Sequence, residues 1–169
     1  EPGPKWGLGV KPEIIDTLRS ACSEAHVLSV VYKSVNSKNK RSRKLGPHCL
    51  YYSKGSLYLI AEDLEAAQIK VFSVPRIQSA LMTEIAYEGQ AVDPSEFFKN
   101  SLSVYKTGKT EKIELLFSVE LADFIFERAW HKSQTTKFNK DGTLIFNAEL
   151  GITPELIQWV LGFGANVQV

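Results

Sequence analysis

The feature that most restricts this chain is a change of hydrophobic period at His26. Before it, in KPEIIDTLRSACSEA, Ile14, Ile15, Leu18, Ala21, Cys22 and Ala25 recur at helical spacing. That spacing predicts an amphipathic helix of ~three turns, with Pro12 suited to its first turn. After it, Leu28, Val30 and Tyr32 alternate with Ser29, Val31 and Lys33, the period of two that a half-buried strand requires. A chain that switches in this way must lay one helix against a sheet.

The strands continue. Ser34–Ser42 is polar and basic and reads as a hairpin loop, and a second strand runs from Arg43 to Tyr52. Ser53-Lys54-Gly55-Ser56 is a turn, Leu57–Ala61 a strand and Glu62–Ala67 an acidic connection. Ile69–Val74 and Arg76–Glu84 complete the set. A helix followed by short strands at close intervals predicts a small β-barrel over 13–86, preceded by a Pro/Gly-rich linker at 1–12. Residues 87–110 have weak periodicity and read as a connection, with a short helix near Asp93-Pro94.

The remaining residues, 111–169, repeat a different plan. A strand at Lys112–Val119 precedes a helix at Leu121–Ala129 with Leu121, Ala122, Ile125, Phe126 and Ala129 on its apolar side. Strands at 133–138 and 143–150 flank Asp141-Gly142, a strong hairpin signal. Thr153-Pro154-Glu155 opens a helix with Thr as cap, Pro in the first position and an acid near the positive dipole end. Leu156, Ile157, Val160 and Leu161 are its expected buried stripe, and Ala165–Val169 a last strand. The order β-α-β-β-α-β is the ferredoxin-like arrangement, so the fold class is α+β with two lobes.

Charge is unevenly spread. The net charge is +1, which by itself argues against a nucleic-acid partner. Yet residues 33–54 carry seven Lys/Arg and no acid. Charges more than ~10 Å apart in solvent are screened at physiological salt, so distant acids need not neutralise that segment.

The order of several short motifs resembles the WYL domain family. They are LSVVYKS at 28–34, RKLGPHCLYY at 43–52, GSLYLIA at 55–61 and KVFSVPRI at 70–77. The family's Trp-Tyr-Leu triplet stands here as Leu57-Tyr58-Leu59. Its Arg-x-x-x-Pro-His-x-Leu pattern is met by Arg43, Pro47, His48 and Leu50. Its Arg-x-Phe-x-x-x-Arg-Ile pattern is met by Phe72, Arg76 and Ile77, with Lys70 for the first Arg. Trp130-His131-Lys132-Ser133-Gln134, Asp141-Gly142 and Trp159–Gly164 resemble the WCX extension that follows many WYL domains.

The resemblance implies an Sm-like, SH3-type barrel that senses an effector in a bacterial transcriptional regulator. The regulator would reach DNA through an N-terminal domain outside this chain and would act as a cytoplasmic homodimer. The start at Glu1-Pro2-Gly3-Pro4, with Met82 the only methionine, is what a part of a longer protein would show. The implied effector is a nucleotide or single-stranded nucleic acid. Arg43, Lys70 and Arg76 would take its phosphates, since a guanidinium fork donates two parallel bonds to an oxyanion. Lys38, Lys40, Arg41 and Lys44 would form a basic rim.

Tyr58 would offer a stacking face; the alternative is a half-buried ring with a satisfied hydroxyl. His48 would donate to the anion or change charge near neutral pH, or else hold a structural hydrogen bond. His26 and His131 read as structural, and Trp130 and Trp159 as core.

Other chemistries find little support. No nucleotide-binding glycine motif, HExxH or GxSxG occurs, and neither Cys22 nor Cys49 has metal-ligand spacing. The sequence therefore gives no reason to expect an enzyme, a metal or a cofactor, and no apolar run reaches the ~18 residues of a membrane helix. A protein-interaction module without ligand and an RNA-binding accessory domain remain the competing readings.

Overall fold

The computed structural model describes residues 10–35, 39–102, 104 and 109–169. The chain divides into two compact units, residues 1–94 and 95–169.

The first unit opens with α1 (Pro12–Glu24), which buries Ile14, Leu18 and Ala21. It ends at Ala25, whose φ of 52° lets its N–H return to the Ala21 carbonyl. Five strands follow: β1 (His26–Tyr32), β2 (Arg41–Ser53), β3 (Ser56–Asp63), β4 (Gln68–Ser73) and β5 (Ile77–Ala86). They form one antiparallel sheet in the order β4-β3-β2-β1-β5. Leu28, Val30 and Tyr32 of β1, Leu45 of β2, Leu59 and Ala61 of β3 and Phe72 of β4 join the α1 stripe in one core. The alternation seen in the sequence thus became one buried face.

Two expectations for this unit are corrected. The strands of the expected barrel are present, but among the described residues no ladder joins β4 to β5, so the sheet keeps two edges. After β4 the chain makes a 3-10 turn at Val74–Arg76, and β5 then pairs with β1. Arg76 consequently ends a turn and does not begin a strand.

The second unit contains a short helix α2 (Pro94–Phe97, begun one residue before the boundary), then β6 (Glu111–Phe117), α3 (Val119–Phe126), β7 (Thr135–Phe138), β8 (Leu144–Leu150), α4 (Pro154–Leu161) and β9 (Val167–Gln168). The order β-α-β-β-α-β is present, and the sheet order is β7-β8-β6-β9 with every described pairing antiparallel. Leu115 and Phe117 of β6 lie opposite Phe146 and Leu144 of β8. Ala122 and Ile125 of α3 and Leu156 of α4 pack with them. The hairpin forms at Gly142, whose φ of 86° suits glycine, and the Thr143 N–H donates to Asp141 Oδ1 at 3.0 Å. Thr153 caps α4, its Oγ1 accepting from the Leu156 N–H at 3.2 Å.

The helix stripes are narrower than expected. Phe126 and Ala129 on the α3 side, and Ile157 and Leu161 on α4, are exposed. Each helix is eight residues long, so only about one residue per turn points squarely at the sheet.

Candidate anion-binding site

The β2–β3 register puts Leu45 opposite Asp63, and the β3–β4 register puts Ala61 opposite Lys70. Arg43 is two residues from Leu45, so alternation places it on the same side of the sheet. Arg43, Asp63 and Lys70 meet there, at the margin of the core. Arg43 Nη1 donates to Asp63 Oδ2 at 2.5 Å, and Lys70 Nζ donates to the same oxygen at 2.9 Å. The Asp63 side chain is fully buried, whereas Arg43 is 19% and Lys70 38% exposed.

Burial alone would raise the Asp63 pKa. Lys70, Arg43 and the Ala66 N–H outweigh it and hold the carboxyl below its ordinary value. Asp63 Oδ1 and Arg43 Nε are both buried without a hydrogen-bond partner. The ion pair is therefore not a two-pronged fork.

Asp63 was not legible as a site residue. In the sequence it stands in an acidic connection, twenty positions from Arg43, and only the strand register joins them. Its presence changes the electrostatics: two cations and one carboxylate leave a single net positive charge where two were expected.

The other expected site residues divide between the faces. Tyr58 pairs with Ser73 and Tyr51, and Lys70 with Ala61. Alternation therefore sends Tyr58 to the side opposite Lys70 and Arg43. Arg76 is half-buried, and its carbonyl accepts from the Lys33 N–H at 3.2 Å. Neither Tyr58 nor Arg76 lacks an interaction partner. A groove of ≈ 340 Å³ is lined by Pro75, Ile77 and Gln78, by Ile14 of α1 and by Val10 and Lys11 just before it.

Within the basic rim, Lys40, Arg41 and Lys44 are exposed, and Lys38 lies outside the described residues. Arg41 alternates to the same side as Arg43, and Lys44, paired with Ser29, to the other.

His48 belongs to a second cluster. It stands at a bulge in β2 between Pro47 and Cys49. The Tyr87 hydroxyl donates to Glu62 Oε2 at 2.7 Å and lies 3.3 Å from His48 Nε2. The two rings meet edge to face at 5.4 Å. The Tyr87 ring occupies the space where a Cβ on Gly46 or Gly89 would sit, and its N–H donates to the Ala25 carbonyl at 2.6 Å. Burial, followed by the Glu62 carboxylate, raises the Tyr87 pKa. Burial lowers that of His48 against the opposing pull of Glu62 and Gln90. His48 is thus engaged by the chain's own Tyr87. Tyr87 and Glu62 escaped sequence reasoning because one lies at the start of an aperiodic stretch and the other in a presumed connection.

The Trp130–Gln134 segment has structural partners. Gln134 Oε1 accepts from the Trp130 and His131 N–H groups, and its Nε2 donates to the Arg128 carbonyl. The His131 ring bridges Ser133 Oγ and the Lys99 carbonyl. Trp130 and Trp159 pack at 5.0 Å in the second core. Burial, with help from Cys49, pushes the Cys22 thiol up to about 11, and burial also raises Cys49. Neither is a poised nucleophile. Among the described residues no cluster of ligating side chains could hold a metal, and no helix is long and apolar enough to cross a membrane.

Comparison with known proteins fits this division. Residues 13–82 match the WYL domain and residues 109–169 the WCX domain. The chain is a WYL–WCX tandem. Among solved structures, the tandem is similar to Proteasome accessory factor B/C (PafBC) of Arthrobacter aurescens. The identity is 21% and the TM-score 0.47, over 96% of this chain and 25% of that one. It is also similar to a CRISPR Cas-related protein, at 13% identity and a TM-score of 0.50, over 92% of this chain and 45% of that one. The second likeness is one of fold. The tandem spans less than half the length of either chain. No curated protein matches it.

Proposed function

We propose that the WYL–WCX tandem is the effector-sensing and oligomerisation region of a bacterial transcriptional regulator. The WYL unit takes an anionic effector, a nucleotide or single-stranded nucleic acid. DNA is reached through a further domain, and the effector shifts a homodimer between DNA-competent and incompetent states. The matched domain pair supports the regulator reading. On this view residues 13–86 are the open form of an Sm-like barrel. Residues 87–110 connect it to a ferredoxin-like lobe at 111–169, a description supported by the β7-β8-β6-β9 sheet order.

The observation that carries the ligand reading is the pair Arg43 and Lys70, partly exposed at the sheet margin over a buried carboxylate. Arg41 shares their side of the sheet, and Arg76 ends the turn that follows β4. Tyr58 lies on the opposite side of the sheet, and His48 stands in the cluster with Tyr87 and Glu62.

Titration of the chain with labelled oligonucleotides at several salt concentrations tests this. Binding that weakens with salt is expected, because each phosphate contact releases counterions. The double variant Arg43→Ala/Arg76→Ala should abolish it. Absence of salt-dependent binding would sink the ligand reading and favour a pure interaction module; preference for RNA over DNA would favour the RNA-binding reading.

A further inference from the structure

We infer that Asp63 is an internal counter-anion that Arg43 exchanges for the phosphate of the effector. The inference rests on the anion-site reading above and adds the residue that sets its affinity. Three observations carry it. Arg43 spends one nitrogen of its fork on Asp63, while Nε is buried without an acceptor. A guanidinium held in this way has donors to gain by moving to a tetrahedral oxyanion, which accepts from two nitrogens at once. Lys70 donates to the same oxygen as Arg43, so a departing Arg43 leaves Asp63 with a cation beside it. A buried carboxylate stripped of all partners would be costly, and Lys70 removes that obstacle.

Exposure has the matching order. Asp63 lies beneath at 0%, Arg43 is 19% exposed and Lys70 38%. A ligand therefore meets the cations and not the carboxylate, and Asp63 acts on affinity through Arg43. Ligand-free, the pair is held in; ligand-bound, Arg43 turns out. This is a two-position element of the kind that couples binding to a change of state.

The alternative role is that of a pure positioning group, which would hold Arg43 in its binding pose. The two roles predict opposite signs. If Asp63 competes, Asp63→Asn raises affinity for a fluorescein-labelled oligothymidylate of about fifteen nucleotides, a length near the upper end of single-strand sites, by roughly tenfold. That factor corresponds to ~1.4 kcal/mol, a modest share of a charge-assisted bond. The gain disappears when Arg43→Ala is added. Circular dichroism confirms that each variant is folded, and Asp63→Ser serves as a second substitution.

A measurement on the unmodified chain does not depend on any variant folding. The Arg43 Nε–H resonance is followed by NMR during titration with the same oligonucleotide and should shift as the site saturates. Tighter binding by Asp63→Asn, lost with Arg43→Ala, supports the exchange, as does a moving Nε–H resonance. Binding by the unmodified chain that Asp63→Asn leaves equal or weakens, or a resonance that stays fixed through saturation, overturns the exchange and leaves the anion site standing. No binding by the unmodified chain or by Asp63→Asn overturns the anion site, and the exchange with it.

Discussion

Gly46→Ala is the sharpest probe of how the first unit is closed. Gly46 is buried in β2, and an ideal Cβ there falls within the Tyr87 ring. The methyl cannot be absorbed, since Gly89 flanks the same ring and the Tyr87 N–H is fixed to Ala25. Tyr87 must leave its slot. The losses are the hydroxyl bond to the Glu62 carboxylate, about 1.5–3 kcal/mol for a bond to a charged group, and the edge contact with His48. The gain is about 0.5–1 kcal/mol from replacing a strand glycine. The net cost is about 2 kcal/mol, roughly a thirtyfold increase in the open population.

Hydrogen exchange read by peptide is the suitable assay, because two units need not unfold as one transition. Peptides from β2, β3 and the Tyr87 segment should lose protection, while those from β6 and β8 keep theirs. In a Tyr87→Ala background, Gly46→Ala should be neutral or slightly stabilising. Equal costs in both backgrounds, or unchanged protection in the single variant, would refute the argument.

The Asp63 carboxyl ionises at lower pH in the folded chain than at its ordinary value of 3.8. Its contribution is therefore present above that value and is lost as pH falls through the folded one. In Asp63→Asn, exchange at successive pH values should show weaker protection of the first unit near neutral pH and a flatter loss of it as pH falls. In the second unit, Thr153→Ala removes the cap on the Leu156 N–H and should cost about 1 kcal/mol. Calorimetry should place that loss in one transition only.

What the sequence could show was what local pattern encodes. The period change at His26, the Asp141-Gly142 hairpin and the Thr153 cap each depend on neighbours within a few residues, and each appears in the structure. Helix stripes were overdrawn, because Ile157 and Leu161 fit a 3.6-residue period but lie beyond the reach of a short helix over its sheet. Closure of the barrel required knowing whether β4 meets β5, which no local signal records. One member of the candidate site was hidden in the same way. Arg43 and Lys70 came from motif order, but Asp63 joins them only through a register twenty residues long. The bulge at His48 changes which face the later β2 residues take. Tyr58 was grouped with cations that alternation places behind it.

The packing of Trp130 against Trp159 has an optical consequence. Two indoles with centroids 5.0 Å apart are an exciton pair, and their coupled transitions give paired bands of opposite sign in circular dichroism. Of the three tryptophans, only Trp6 lies outside the second unit, and five of the six tyrosines stand in the first. Tyrosines thus predominate in the first unit, and the paired tryptophans lie in the second. The indole couplet reports the WCX unit and the phenol bands the WYL unit, so each can be followed in the intact chain without a label.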